Sequence, residues 1–289
     1  MSIKIKTSAV VAALFSILVF SGCGEKTEKP NHIRVGVIMG KELAVAEVAQ
    51  KVAKEKYQLD VELVTFNDFV LPNESLDKGD IDVNAFQHRP YLEQQIKDRN
   101  YKLVAVGKTF IYPIAAYSKK IKSVEQLADG AQIAIPNDPT NLGRSLLLLQ
   151  KQGLIKVSNS AGLQPTVLDI TENPKKLNFI ELEAPQLPRS LDDPKIVLAI
   201  INTTWASSAE PKLTPAKDGL FVEDKNSPYV NLIVSRIDNK DNENVKKFVK
   251  AYQSSEVAEA ANKIFDGGLS LVGNCFIKKS DIIINKITR

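Results

Sequence analysis

Histidine and cysteine each occur only twice in the 289 residues, and tryptophan once. His32 and His88 have no cysteine or second histidine at ligand spacing, so no metal site is expected. There is no Gly-x-Ser-x-Gly, no His-Glu-x-x-His and no phosphate loop. Gly36 and Gly40 do not complete the three-glycine dinucleotide fingerprint, and the many carboxylates form no recognisable glycosidase pair. Neither an enzyme nor a cofactor is implied. The net charge of +4 is small and unclustered, falling to +2 without residues 1–22, which gives no support to nucleic-acid binding. No internal repeat is visible. With 44% hydrophobic and 25% charged residues, the chain is ordinary globular material, long enough for two domains.

The one conspicuous apolar run, Ala9 to Phe20, follows Lys4 and Lys6 and is too short for a comfortable transmembrane helix. It reads as the core of a secretory signal peptide, residues 1–22. Phe20-Ser21-Gly22-Cys23 resembles the lipobox of bacterial lipoproteins, with Phe where Leu is usual, and predicts cleavage before a lipidated Cys23. Cys275 is then left without a disulfide partner. Residues 23–31, polar through Glu25 to Pro30, make a tether between membrane and folded body.

β-Branched alternation predicts strands at Ile33 to Ile38 and Val61 to Phe66, with a helix between them carrying Val45, Val48, Ala49 and Val52 on one face. That order implies a parallel pair. Further strands are expected at Asp80 to Phe86, running into a loop at Gln87-His88, at Lys102 to Val106, and at Phe110 to Tyr117 with Tyr112-Pro113 interrupting. Ser123 opens a capping-box-like short helix. Strands follow at Gln132 to Ile135, Val167 to Ile170, Phe179 to Leu182, Ile196 to Ile201 and Tyr229 to Ser235. Two helices close the chain, with Val245, Phe248, Val249 and Tyr252, then Val257, Ala260, Ala261 and Ile264, on their apolar faces. The pattern is α/β, twice over. It divides near Tyr112 to Tyr117, and the last strand and helices can return to the first half.

Ligands in such sheets sit beyond the carboxyl ends of strands. Pro136 to Arg144 leaves a strand and enters a helix, where free N–H groups, the dipole and the Arg144 fork would attract an anion. Taken alone, the stretch equally fits a capped helix with a surface arginine. Asn202, directly after an apolar strand, fits a turn or a ligand contact. Asn231, inside one, needs a partner from a ligand or a neighbouring strand. Phe66, Phe69, Phe86, Tyr91 and Tyr112 are individually core-like, yet clustered at strand ends they could wall an apolar slot; His88 reads as a hydrogen-bonding structural group. The residues by themselves support a small zwitterion with an apolar tail and no more.

Five stretches are more specific: Val61 to Asp68, Asp82 to His88, Pro136 to Arg144, Glu183 to Arg189, and Ser227 to Asn231. Together they closely resemble the methionine-binding lipoproteins of bacterial ABC importers, the MetQ/NlpA family, from about Asn31 to Gly268. The resemblance implies a two-lobed type 2 periplasmic-binding-protein fold with a hinged interdomain cleft. It implies L-methionine as ligand, with D-methionine as a second candidate, and a membrane permease with its cytoplasmic ATPase as partners. Residues 32–113 with 229–268 would form lobe 1, and 114–228 lobe 2. Arg144 would clamp the ligand carboxylate, helped by Asn141 and the helix start. Asn202 and Asn231 would hold the polar end, and Phe86, His88, Tyr91, Tyr112 and Phe66 the side-chain pocket, aromatic walls suiting a thioether.

The sequence departs from the family where residues 269–289 continue beyond the usual end, and Ser208 to Lys212 is longer than expected. Gly24 replaces the aspartate that retains lipoproteins at the inner membrane. Alternative readings are a methionine-containing dipeptide or another apolar amino acid as ligand, or an envelope lipoprotein with an adhesion role.

Overall fold

The computed structural model describes residues 30–224 and 226–271. The signal peptide, Cys23, nearly all of the tether, Cys275 and residues 272–289 lie outside the described residues. Among those described, no helix is long and apolar enough to cross a membrane.

The chain opens as β1 (His32–Ile38), α1 (Lys41–Tyr57), β2 (Asp60–Phe66), α2 (Leu71–Asp77), β3 (Val83–His88), α3 (Arg89–Arg99) and β4 (Leu103–Ile111). β1 pairs in parallel with both β2 and β3, as the β–α–β order requires. α1 buries Val45, Ala46, Ala49, Val52 and Ala53, a stripe at helical spacing, with Val48 packed at its edge.

The chain then crosses at Tyr112-Pro113 into a second sheet. Its elements are β5 (Ile114–Tyr117), β6 (Gln132–Pro136), α4 (Pro139–Lys151), a small ribbon of β7 (Lys156–Val157) and β8 (Ile170–Glu172), β9 (Asn178–Leu182), α5 (Leu187–Ser190), β10 (Ile196–Asn202), α6 (Thr203–Ala206), α7 (Pro215–Asp218) and β11 (Phe221–Val222). Residues 223–229 lead back to β12 (Val230–Arg236), α8 (Glu243–Tyr252), α9 (Ser255–Ile264) and β13 (Ser270–Leu271).

The first sheet runs β13-β4-β12-β3-β1-β2 and the second β11-β5-β10-β6-β9. The returning strand β12 therefore sits inside the first sheet, antiparallel to β3 and β4. Its register sets Asn231 opposite His88. One core lies between the first sheet and α1, α8 and α9; a second packs α4 on the other sheet. A third cluster joins Ile38 and Phe86 of the first sheet and Tyr91 of α3 to Ala134 and Ile201 of the second sheet and Trp205 of α6. The two sheets meet through apolar side chains around a cleft.

Several local expectations change. Residues 107–109, read as a gap, lie inside β4, because pairing with β12 on one side and β13 at its end carries the strand through. Gln87 and His88 belong to β3 rather than a loop, since β12 pairs with both. Asp80 to Asp82 turns instead of pairing: Asp82 Oδ2 takes the Arg34 N–H at 2.7 Å. Val167–Asp169 is a 3-10 turn closed by a Thr166/Asp169 capping box, and the strand starts only at Ile170. Ser123 makes no side-chain cap, and its helix is a single 3-10 turn, Val124–Gln126. In α9, Ala258 is buried where Ala260 was expected. The segment from 269 begins ordered, because Ser270–Leu271 pairs with Phe110 and Ile111 of β4.

Candidate functional site

α4 begins at Pro139, earlier than the apolar run suggests, with proline preset for the first turn. Its cap is Asp138, which accepts the Asn141 N–H at 2.9 Å and both Oδ contacts from Asn141 Nδ2 at 3.1 and 2.9 Å. A carboxylate of the protein already occupies the helix start, so that start is not a free anion site. Arg144 lies farther along the helix, on the same face as Asn141 one turn earlier.

Asn141 is the junction of the site. His88 caps α3, its Nδ1 accepting the Tyr91 N–H at 3.1 Å, so its hydrogen is on Nε2. That hydrogen is donated to Asn141 Oδ1 at 3.2 Å, joining the first sheet to the second. Asn202 Nδ2 donates to the same oxygen at 2.9 Å. Asn202 ends β10 and makes no helix cap; its side chain turns toward the cleft instead. Its own Oδ1 is buried and makes no hydrogen bond within the protein. Asn231 donates through Nδ2 to the Phe86 carbonyl at 3.0 Å, so the neighbouring strand supplies the partner its position demands.

Arg144, 3% exposed, is held from two sides. Its Nε donates to Glu223 Oε1 at 2.9 Å, its Nη2 to Glu223 Oε2 and to the Tyr112 carbonyl, the latter at 3.0 Å. The guanidinium also lies 4.3 Å from the Tyr229 ring centroid. Burial, with the Arg144 charge second, pushes the His88 imidazole down to about 3, so it is neutral at ordinary pH. Arginine and glutamate cancel, and the site carries no net formal charge.

These groups face one small cavity between the two sheets. Phe86, His88, Tyr91, Tyr112, Asn141, Arg144, Asn202 and Asn231 all line it, which brings together every sequence-expected residue except Phe66. Phe66 packs into the cores instead, and Phe69 takes the wall. The Phe69 ring stands 6.0 Å from Phe86, 6.2 Å from Tyr91 and 5.2 Å from Trp205 of α6. Tyr91 donates its hydroxyl to the Phe69 carbonyl at 2.7 Å, leaving ring surface rather than a polar tip toward the cavity. Gln87, Thr203 and Thr204 also line the cavity, and Glu223 and Tyr229 hold Arg144. None of these five was given a role from sequence, although Gln87, Thr203 and Thr204 adjoin Phe86, His88 and Asn202 at strand ends; Glu223 and Tyr229 reach the site through the return crossing. Among the described residues, no group of three His, Cys, Asp or Glu could hold a metal.

Comparison with known proteins places this geometry. The profile of the NlpA lipoprotein family matches residues 33–271. The D-methionine-binding lipoprotein MetQ of Salmonella typhimurium is 73% identical over 268 residues, 93% of this chain and 98% of that protein. The crystal structure of a methionine-binding protein, MetQ, is 74% identical with a TM-score of 0.83, over 84% of this chain and 99% of that one. A nutrient-binding protein from Burkholderia cenocepacia, solved bound to methionine, is 52% identical with a TM-score of 0.80, covering 83% and 99% of the two chains. The two-sheet α/β fold is that of periplasmic substrate-binding proteins, and the chain belongs to the NlpA lipoprotein family.

Proposed function

We propose that this chain is the substrate-binding lipoprotein of a methionine ABC import system, capturing L-methionine or D-methionine in its cleft without converting it. The observation that carries the reading is the polarity of the cavity: a buried arginine and an unpartnered amide oxygen, Asn202 Oδ1, share an enclosure walled by Phe69, Phe86 and Tyr91. An amino-acid carboxylate is matched by the Arg144 donors that Glu223 leaves free, and an ammonium by Asn202 Oδ1. Because Arg144 and Glu223 neutralise one another, the site suits a zwitterion better than an anion. The thioether is soft and polarisable, and aromatic faces add sulfur–ring contacts to apolar burial.

In this reading residues 32–113 with 229–268 form one lobe and residues 114–228 the other, hinged at Tyr112-Pro113 and 223–229. His88–Asn141 is then a tie across the closed cleft. The signal peptide is removed and Cys23 carries the lipid that holds the protein at the cell envelope, presenting it to a permease with a cytoplasmic ATPase. No function is assigned to residues 272–289.

The test is mass spectrometry of protein purified natively and then denatured, followed by calorimetry with both methionine enantiomers. Released methionine and saturable binding are expected. A released dipeptide would replace the ligand assignment, and failure to bind any amino acid would overturn the transport reading. Cys23→Ser is expected to move the protein out of the membrane fraction.

A further inference from the structure

Glu42, in the first turn of α1, is 2% exposed and lies outside the lining of the cavity. Its Oε1 accepts from the hydroxyl of Thr204, on α6 of the opposite sheet, and its Oε2 has no partner. The loop before it is pressed onto the same segment. Gly40 holds φ +103, and a Cβ there would stand 2.5 Å from Ser208 Oγ, which itself donates to the Thr204 carbonyl at 3.0 Å. That positive φ, which L side chains rarely adopt, is why this approach uses glycine. Thr204 in turn lines the ligand cavity.

No described cation makes an ion pair with Glu42. The neighbouring Lys41 turns away, pairing with Asp266 at 3.4 Å and lying over the Phe265 ring. The remaining titratable groups around it are Tyr112 at the first crossing and Tyr252 on α8, both raised by burial and therefore neutral through the accessible pH range. α6 offers only the threonine hydroxyl. The dipole of α1 favours the anion, but one hydrogen bond and a helix start do not replace the hydration of a fully buried carboxylate. Burial, opposed only by the Thr204 bond, accordingly lifts the Glu42 carboxyl to about 8.

We propose that Glu42 is a positioning residue for closure: it takes up one proton from water as the lobes close on ligand, and the resulting carboxylic acid holds Thr204 and with it the cavity wall. This rests on the hinged-lobe reading above. With the lobes apart Glu42 meets water and ionises as an ordinary carboxylate. Closing converts it to the acid, so ligand binding and proton uptake are linked. The sign is fixed: affinity is highest at low pH with respect to this group and falls as pH rises toward about 8. His88 exchanges its proton on the acid side of its ordinary value of 6.5 and does not intrude above neutrality.

The experiment is calorimetric titration of the full chain with L-methionine at pH 7 and 8, each in two buffers of different ionisation enthalpy, for the wild type and Glu42→Gln. The wild type is expected to bind about fivefold more weakly at pH 8 than at pH 7 and to take up most of one proton at pH 7. Glu42→Gln, which keeps an acceptor for Thr204 and cannot ionise, is expected to bind equally at both and to take up none. Wild-type binding without proton uptake, or an unchanged pH profile in Glu42→Gln, overturns the proposal and leaves the methionine reading intact. If neither protein binds methionine, the methionine reading falls. The coupling of Glu42 to methionine then falls with it.

Discussion

Arg144 donates from Nε and Nη2 to the two carboxylate oxygens of Glu223, a residue on the chain's return crossing between the sheets. The fork is therefore oriented before any ligand carboxylate arrives. On the proposed reading Arg144 then has two jobs, which substitution can separate. Arg144→Ala removes the clamp and strands a part-buried Glu223; it is expected to cost about 3 kcal/mol or more in methionine affinity and a similar amount of folding stability. Arg144→Met combined with Glu223→Gln is expected to recover most of the stability and none of the affinity. Calorimetry and urea denaturation on the same preparations check both halves. Recovered binding in the double variant would remove Arg144 from the ligand site.

Asn141 provides a sharper test because each of its side-chain atoms has a fixed partner. Oδ1 accepts from His88 and Asn202, while Nδ2 donates to Asp138. Asn141→Ala orphans two donors and is expected to weaken binding by about 1–3 kcal/mol. Asn141→Asp is isosteric and keeps the acceptor, but sets a second carboxylate against Asp138. It is expected to be at least as damaging as alanine, with a lower melting temperature. An aspartate variant that binds like wild type would show that the donated bond to Asp138 does not matter.

These two residues also show how far sequence reading reaches. A strand, a short loop and a helix put Arg144 and Asn141 beyond a strand end in the sequence, but that pattern fits a capped helix equally well, and their roles as ligand contacts came only with the family resemblance. Asn202 and Asn231 drew notice as polar residues at or inside apolar strands, each with a structural reading beside the ligand one, and Asn231 finds its partner in the Phe86 carbonyl. Glu223 drew none, since no local pattern marks a carboxylate whose partner lies on a distant helix. The strand through residues 107–109 was hidden because Gly107 and Lys108 have poor strand propensity, and only pairing with β12 keeps them extended. Phe66 and Phe69 are both aromatic residues near the end of β2. Choosing between them needs the position of α6, whose Trp205 contacts Phe69.

Two buried groups shift in opposite directions, which makes the pH dependence of folding stability predictable. His88 is lowered to about 3 from 6.5, so its contribution is complete above 6.5 and is lost as pH falls through the range below. Glu42 is raised to about 8 from 4.5, so its contribution is complete below 4.5 and is lost as pH rises toward 8. Each acts with a slope of about 1.4 kcal/mol per pH unit inside its window. Between pH 5 and 6.5 the slopes oppose, and the wild type is expected to be nearly flat there, then to lose stability toward pH 8. Glu42→Gln is expected to gain stability up to about pH 6.5 and stay level above it. Denaturant titrations at half-unit pH intervals, run on the methionine-bound, closed protein, read this directly. A wild-type profile that rises between pH 6.5 and 8 would contradict the assignment of Glu42.

On the methionine reading the aromatic wall is what discriminates among amino acids, and Phe69, which lines the cavity, can be set against Phe66, which does not. Phe69 is half-buried and lines the cavity, with its ring against Phe86, Tyr91 and Trp205. A methionine side chain reaching this wall loses apolar and sulfur–ring contact when the ring is removed, whereas alanine, which shares the carboxylate and ammonium, never touches it. Phe69→Ala is therefore expected to lower methionine affinity by about 1–2 kcal/mol and to leave any alanine binding almost unchanged, narrowing the preference. Phe66 packs against two apolar clusters, one holding Ile38 and Phe86 and the other Leu76 and Ile81, and does not line the cavity. Phe66→Ala opens a cavity in that packing and is expected to cost about 2–4 kcal/mol of folding stability while keeping the methionine preference. Competition calorimetry and denaturation of the two variants distinguish these outcomes. If Phe66→Ala were the one that lost selectivity, the wall would have to be redrawn around the end of β2.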